Sequence, residues 1–291
     1  MKQLKIAGTS LKYLLAIGLL TACNHDDPIT PTQNAEIVSN DTNAKITSLT
    51  RLTKEGDASI QYVKSGKFFG KVSKLFTAPN NAFNYEYSYD DNNPQGILWI
   101  TRKQIKKSDG TFNINTYKVI NGLCVSSTVP DGSHHEYTYT PQGQLSEVNK
   151  FKNGSKIESV KFSYNYNSAT NSYRLHSLTE LGGADIELTF TYTSIPDKYP
   201  LRNPLIGLPT SLEHGNMDAH LPIFGKFSDV LIDVMVGQFL SGGVPHSYKF
   251  TYVTDSDGLV ISKTQTVSSG NNPPANPQTK VLKYSDAWQG I

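Results

Sequence analysis

Tyr137-Thr138-Tyr139-Thr140-Pro141-Gln142-Gly143-Gln144-Leu145 decides the fold. Tyr137 and Tyr139 alternate with a polar residue, so an extended chain places both rings on one sheet face. Thr140 to Gly143 supply a polar reversal, and Leu145 starts a new apolar position. The alternation recurs at Tyr85-Glu86-Tyr87-Ser88-Tyr89, Phe162-Ser163-Tyr164-Asn165-Tyr166, Leu188-Thr189-Phe190-Thr191-Tyr192 and Tyr248-Lys249-Phe250-Thr251-Tyr252. Tyr139 to Tyr166 spans 27 residues and Tyr166 to Tyr192 spans 26, a period that fits one β-hairpin per unit. Asp109-Gly110, Asn121-Gly122, Asp131-Gly132, Asn153-Gly154 and Asp257-Gly258 are hairpin dipeptides, because Gly, Asn and Asp tolerate positive φ. The expected fold is mainly β: antiparallel repeated β-hairpins forming a curved or barrel-like sheet. Most aromatic rows are read as its core, and exposed Tyr or Trp rings as the alternative, a stacking surface for planar or sugar ligands. Trp99 and Trp288 are not separable on this ground.

The chain has 291 residues, 37% of them apolar and 18% charged, with 16 Tyr, 12 Phe and 2 Trp. Ser, Thr, Asn and Gln fill the deficit in both classes. This mix argues against collagen, coiled coil, a multi-pass membrane protein and an acidic disordered chain. It suits a secreted, turn-rich β protein.

Residues 1–22 read as a secretory signal. Lys2, Lys5 and Lys12 form a basic start, and the apolar stretch Leu11 to Leu20 is too short to span a bilayer of about 30 Å as a helix. Removing the signal takes away those three of the 27 basic residues and no acid, leaving 24 against 25 acids and a net charge of −1. No net positive field is left to attract nucleic acid. Residues 24–44 are polar, carry Pro28 and Pro31 and lack apolar periodicity, so 23–44 is expected to be a flexible tether. Residues 45–291 are expected to form a single β-rich domain.

The repeat breaks between about 195 and 245, where Pro196, Pro200, Pro204, Pro209 and Pro222 argue against central strands. Within this Pro-rich insertion, Asp229 to Leu240 carries apolar residues at 230, 231, 234, 235, 236, 239 and 240, one face of an amphipathic helix. Ser228 is placed as its N-cap and Gly242 beyond its end, and the helix is expected to pack across the sheet. Its polar positions Asp229, Asp233 and Gln238 argue against insertion into a membrane surface.

Leu20-Thr21-Ala22-Cys23 resembles the lipobox of bacterial lipoproteins, which implies cleavage before Cys23 and a lipid on that cysteine. Asp26-Asp27 resembles the surface-export signal of Bacteroidota lipoproteins. Tyr139 to Leu145 and Tyr252 to Leu259 share a tyrosine, a polar turn, a glycine and an apolar residue. This resembles, in degenerate form, the tyrosine-rich YD-type repeats of bacterial surface proteins, without their arginine. Signal, tether, hairpins and late insertion together look like a family of uncharacterised Bacteroidota surface lipoproteins with a curved or porin-like sheet. The resemblance implies an outer-membrane, lipid-anchored protein that faces either the cell surface or the periplasm, and brings no catalytic residues with it.

With Cys23 acylated, Cys124 has no partner in the chain and reads as a small buried hydrophobe. Glu213, His214, Asp218 and His220 form the densest set of metal-type donors, but their spacing matches no ligand pattern. His134 and His135 are strand neighbours that point to opposite faces and cannot easily chelate one ion. Asp255-Ser256-Asp257-Gly258 shares part of a calcium loop yet lacks the distal Glu, and reads as a hairpin turn. No nucleophile elbow, phosphate loop, zinc-protease or dinucleotide motif is present. The expectation is therefore no catalytic, metal or cofactor site. It is a non-catalytic module that binds glycan or an envelope protein and is held to the membrane by lipid, with no nucleic-acid partner. The alternatives are a structural or assembly component of an envelope complex, whose sheet edge pairs with a partner strand, and a glycan-directed hydrolase.

Overall fold

The computed structural model describes residues 50–199, 216–218, 220–270 and 272–290. The signal, Cys23, the tether and residues 200–215 of the insertion lie outside them. Sixteen strands follow in order: β1 (Arg51–Glu55), β2 (Ala58–Tyr62), β3 (Val72–Phe76), β4 (Phe83–Asp90), β5 (Leu98–Lys106), β6 (Phe112–Ile120), β7 (Leu123–Thr128), β8 (His134–Tyr139), β9 (Leu145–Lys152), β10 (Ser155–Asn167), β11 (Ser172–Leu181), β12 (Ile186–Pro196), β13 (Val230–Phe239), β14 (His246–Thr254), β15 (Val260–Ser269) and β16 (Gln278–Ser285). Each pairs antiparallel with its neighbour, and β16 returns to β1, so the sheet closes into a barrel. In the closed order every strand has a hydrogen-bonded neighbour on both sides.

Local chemistry sets the hairpins. Asn121-Gly122 has φ of 51° and 80°, and Asn153-Gly154 has 52° and 79°, which is the doubly positive pair that a two-residue type I′ turn demands. Asp255 Oδ1 accepts the amides of Asp257 at 3.0 Å and Leu259 at 2.9 Å, so this segment is the β14–β15 turn. The tyrosines fill the inside. Tyr62, Tyr87, Tyr117, Tyr137 and Tyr248 are buried together with Leu145, Val148, Leu175, Leu178 and Leu188.

A second regularity ties the hairpins together. Near the end of an even strand, a tyrosine hydroxyl donates to a carbonyl near the start of the preceding strand. The pairs are Tyr62 to Leu52 (2.6 Å), Tyr89 to Val72 (2.7 Å), Tyr139 to Cys124 (2.8 Å), Tyr192 to Leu175 (2.6 Å), Tyr252 to Ile232 (2.8 Å) and Tyr284 to Val260 (3.1 Å). A buried hydroxyl needs a partner, and a carbonyl has a second lone pair to give. In β10 the matching residue is Tyr164, which faces Leu175 as Tyr139 faces Leu145. Tyr166, which sets the sequence period, lies two residues beyond it, half-exposed.

One expectation is overturned. Asp229 to Leu240 is no helix; Val230–Phe239 is β13, paired with β12 and β14. A run this apolar satisfies period 3.6 and period 2 at once. Val230, Ile232, Val234 and Val236 are β-branched at alternate positions, which favours the strand. Ser228 makes a local turn, its hydroxyl accepting the Val230 amide at 3.1 Å. The break in the sheet narrows to residues 197–229, since β12 reaches Pro196.

Candidate functional site

A barrel of sixteen strands would enclose a wide lumen. Here the described residues 216–218 and 220–227 of the 197–229 crossover pack inside it. Leu221, Ile223, Phe224 and Phe227 are all at most 2% exposed. Phe224 packs on Tyr117 and Tyr137 with ring centroids at 6.2 and 5.3 Å, and Phe227 on Phe162 at 6.1 Å. The crossover also joins the wall through its backbone: the amides of Cys124 and Leu175 donate to the carbonyls of Ile223 and Phe227, each at 2.7 Å. Gly225, at φ 80°, lies so close to the Gly143 carbonyl that any Cβ would collide with it.

The same segment carries a polar cluster gripped by consecutive strands. Asp218 accepts from Arg102 Nη1 of β5 at 2.8 Å and from the Tyr87 hydroxyl of β4 at 3.1 Å. Asn216 Oδ1 accepts from Asn115 Nδ2 of β6 at 2.6 Å, and its Nδ2 donates to Ser127 Oγ of β7 at 2.9 Å. Ser127 shares a 2.8 Å hydrogen bond with the Tyr137 hydroxyl of β8. Burial, then the Asp218 charge, pushes the Tyr87 hydroxyl well above its ordinary pKa. Burial alone would weaken the Arg102 charge, but Tyr117 and Asp218 outweigh it, and the guanidinium titrates above its ordinary value. Burial holds the His220 imidazole below its ordinary value, against the pull of Asp218 and Glu55. This cluster latches the described crossover residues inside the barrel.

The sequence singled out Asp218 and His220 as candidate metal donors. The structure spends the Asp218 carboxylate on Arg102, Tyr87 and the His220 amide. His214 and Glu213 lie outside the described residues, among which no group of three His, Cys, Asp or Glu is placed to hold a metal ion. His134 is half-exposed and stacks on Phe151 at 5.0 Å, whereas His135 is buried, the opposite faces that period two requires. Cys124 is fully buried on β7, and burial raises its thiol pKa far above the ordinary value. Trp288 is buried against Tyr62 and Phe69, while Trp99 stands on the outer wall.

The outer wall has its own character. Glu86, Lys103, Thr116, Glu136, Thr138, Glu147, Lys161, Glu187, Thr191, Lys249 and Thr251 alternate with the inward aromatics around the barrel. Lys74 and Glu86 pair across adjacent strands at 2.8 Å. A lipid-facing barrel has the reverse arrangement, an apolar outer band and a polar lumen.

One opening was not legible in the sequence. β11 and β12 pair only where Ser177, Leu178 and Thr179 meet Thr189, Leu188 and Glu187. Beyond these pairs Phe227 and Asp229 bond to β11 instead, and a cleft of about 210 Å³ is lined by Asn165, Tyr166 and Asn167 of β10, Arg174, Leu175 and His176 of β11, and Phe190 and Tyr192 of β12. On its other side β11 carries a bulge: Ser163 faces Ser177 and Tyr164 faces Leu175, which leaves His176 without an opposite residue on β10. Arg174 is bound by Asp229 in a two-point pair at 2.5 and 3.1 Å, and Ser172 adds a third contact to that carboxylate at 2.9 Å. The Arg174 hydrogen bond holds the Asp229 carboxyl down at about 2.

No protein-family model matches the chain, and no curated protein matches it. Among solved structures, a porin-like protein from Bacteroides uniformis is 17% identical, with a TM-score of 0.44 over 73% of this chain and 93% of that one. A porin-like protein from Bacteroides vulgatus is 15% identical, with a TM-score of 0.26 over 81% of this chain and 85% of that one.

Proposed function

We propose that this protein is a lipid-anchored barrel of the outer membrane that stands outside the bilayer and works as a non-catalytic binding module, with a glycan or an envelope protein as its ligand. The filling of the lumen carries this reading: the described crossover residues pack against Tyr117, Tyr137 and Phe162 and are latched by Arg102. The charged outer wall supports it, since each Lys or Arg facing lipid at mid-bilayer would cost about 2–4 kcal/mol. Membrane attachment then falls to Cys23, and several acyl chains hold a protein stably where one does not.

The test is detergent phase partitioning of the full chain. Wild type is expected in the detergent phase and Cys23→Ala in the aqueous phase. A Cys23→Ala protein that still enters detergent would mean that the barrel itself is embedded. An envelope-assembly role is the second reading. Trp99, Phe112 and Ile114 favour it, standing exposed on the outer face of β5 and β6.

A further inference from the structure

The end of the barrel at which β1 starts has a surface of its own. β1, β3 and β5 run the same way along the wall, so Arg51, Val72 and Leu98 begin at one end. There the β2–β3 loop, residues 63–71, is tied to itself and to β1. Its amides at Val63 and Gly70 donate to the Lys71 and Val63 carbonyls at 2.8 and 2.9 Å, and Arg51 Nε donates to the Gly70 carbonyl at 3.2 Å. Gly70 has φ 79°, and a Cβ there would strike the Arg51 guanidinium. The loop holds Phe69 40% exposed, its ring backed by Trp288 at 5.1 Å. A ring held this way has little ordering entropy left to lose on docking. Lys64 and Lys67 stand exposed beside it. Two strands along, Trp99 is the second residue of β5 and is 41% exposed on the outer wall. Tyr166, the penultimate residue of β10, is exposed at the same end.

We infer that this end docks on the lipid bilayer, with Phe69 and Trp99 in the boundary between headgroups and acyl chains and Lys64 at the lipid phosphates. The inference rests on the reading of Cys23 as a lipid anchor and adds an orientation to it. Thr50 follows Cys23 by 27 residues. A coil of that length averages about 30 Å from end to end, which keeps this end near the bilayer and turns a weak contact into a lasting one. Trp and Tyr settle at membrane interfaces, where an apolar ring and a polar edge are both satisfied. The acids of this sector, Asp90, Asp91 and Asp286, are outnumbered by Arg51, Lys64, Lys67 and Lys71, and Asp91 is paired with Lys67 at 2.5 Å. That balance suits a phosphate layer. The opposite end exposes Phe76, Phe112 and Ile114, but no exposed Trp or Tyr, and neither β1 nor the end of β16 lies there. A second copy of the chain fits less well, since a two-fold contact through this loop would set lysine against lysine.

Fluorescence quenching in vesicles of phosphatidylethanolamine and phosphatidylglycerol tests this, with the lipidated protein reconstituted with and without brominated acyl chains. A nitrobenzoxadiazole label is placed at Phe69→Cys in one chain and at Phe112→Cys in another, both in a Cys124→Ala background. Brominated lipid is expected to quench the label at 69 at least about twofold more than the label at 112, because bromine on the acyl chains reaches only groups at the boundary. Trp288→Phe leaves Trp99 as the sole tryptophan, and its fluorescence should be quenched as well. Far-UV circular dichroism should show that each variant is folded. Quenching at 112 but not at 69, or equal quenching at both, would overturn the orientation. No quenching at either label, in protein that still floats with the vesicles, would overturn docking and leave the lipid anchor standing. Protein that does not float with the vesicles would overturn the anchor itself, and the inference with it.

Discussion

Asp218 and Arg102 meet at 2.8 Å inside the barrel, with side chains 3% and 17% exposed. One sits on the crossover and the other on β5, so the pair joins the filling to the wall. Two charges this deep repay their desolvation only while both are present. Asp218→Ala is expected to cost about 3–5 kcal/mol in urea unfolding, because it strands the guanidinium. Changing Arg102→Met together with Asp218→Leu should recover most of that loss, since an apolar pair leaves no buried charge. A double variant as unstable as the single one would show that the crossover is held by something else.

The tyrosine-to-carbonyl bonds predict a graded series. Tyr62→Phe and Tyr192→Phe each remove a hydroxyl that donates at 2.6 Å and should each cost about 1 kcal/mol. Tyr164→Phe should cost nothing or stabilise slightly, because its buried hydroxyl has no hydrogen-bond partner among the described residues. Equal losses at all three positions in chemical denaturation would mean that ring packing, not the hydroxyl, decides.

Those same tyrosines show how much the sequence disclosed. Period-two rows and Asn-Gly dipeptides are local signals, and strands such as His134–Tyr139 and turns such as Asn153-Gly154 follow from them directly. Val230–Phe239 misled because a buried run of apolar residues erases the periodicity that separates helix from strand. The latch was invisible for a different reason. Asp218 finds Arg102 across 116 residues and Asn216 finds Asn115 across 101, and such pairings exist only once the barrel has closed. The short contact of β11 and β12 is likewise a matter of long-range register that no residue type announces.

Cys124 offers a direct probe of the closed wall. Its Sγ is fully buried on β7, and burial keeps the thiol protonated far beyond neutral pH. The thiolate is the reactive form, so Cys124 in the folded Cys23→Ala protein should resist Ellman's reagent and react within minutes in denaturant. Prompt reaction under native conditions would reveal frequent opening around β7, where the Cys124 amide holds Ile223.

His220 should make the barrel sensitive to mild acid. Burial lowers its pKa from 6.5, and around it Asp218 and Glu55 oppose that shift while Arg102 and Lys280 add to it. A lowered folded pKa means that the unfolded chain takes up the proton first. The contribution of neutral His220 is thus complete above pH of about 6.5 and is lost as pH falls below it, at no more than about 1.4 kcal/mol per pH unit for one proton. Asp229, held at about 2 by Arg174, titrates well below this window and does not interfere. Urea midpoints should therefore fall between about pH 7.5 and about pH 5.5 in the wild type, and His220→Leu should flatten that slope whatever its effect on the midpoint at neutral pH. An unchanged slope in His220→Leu would place the acid sensitivity elsewhere in the barrel.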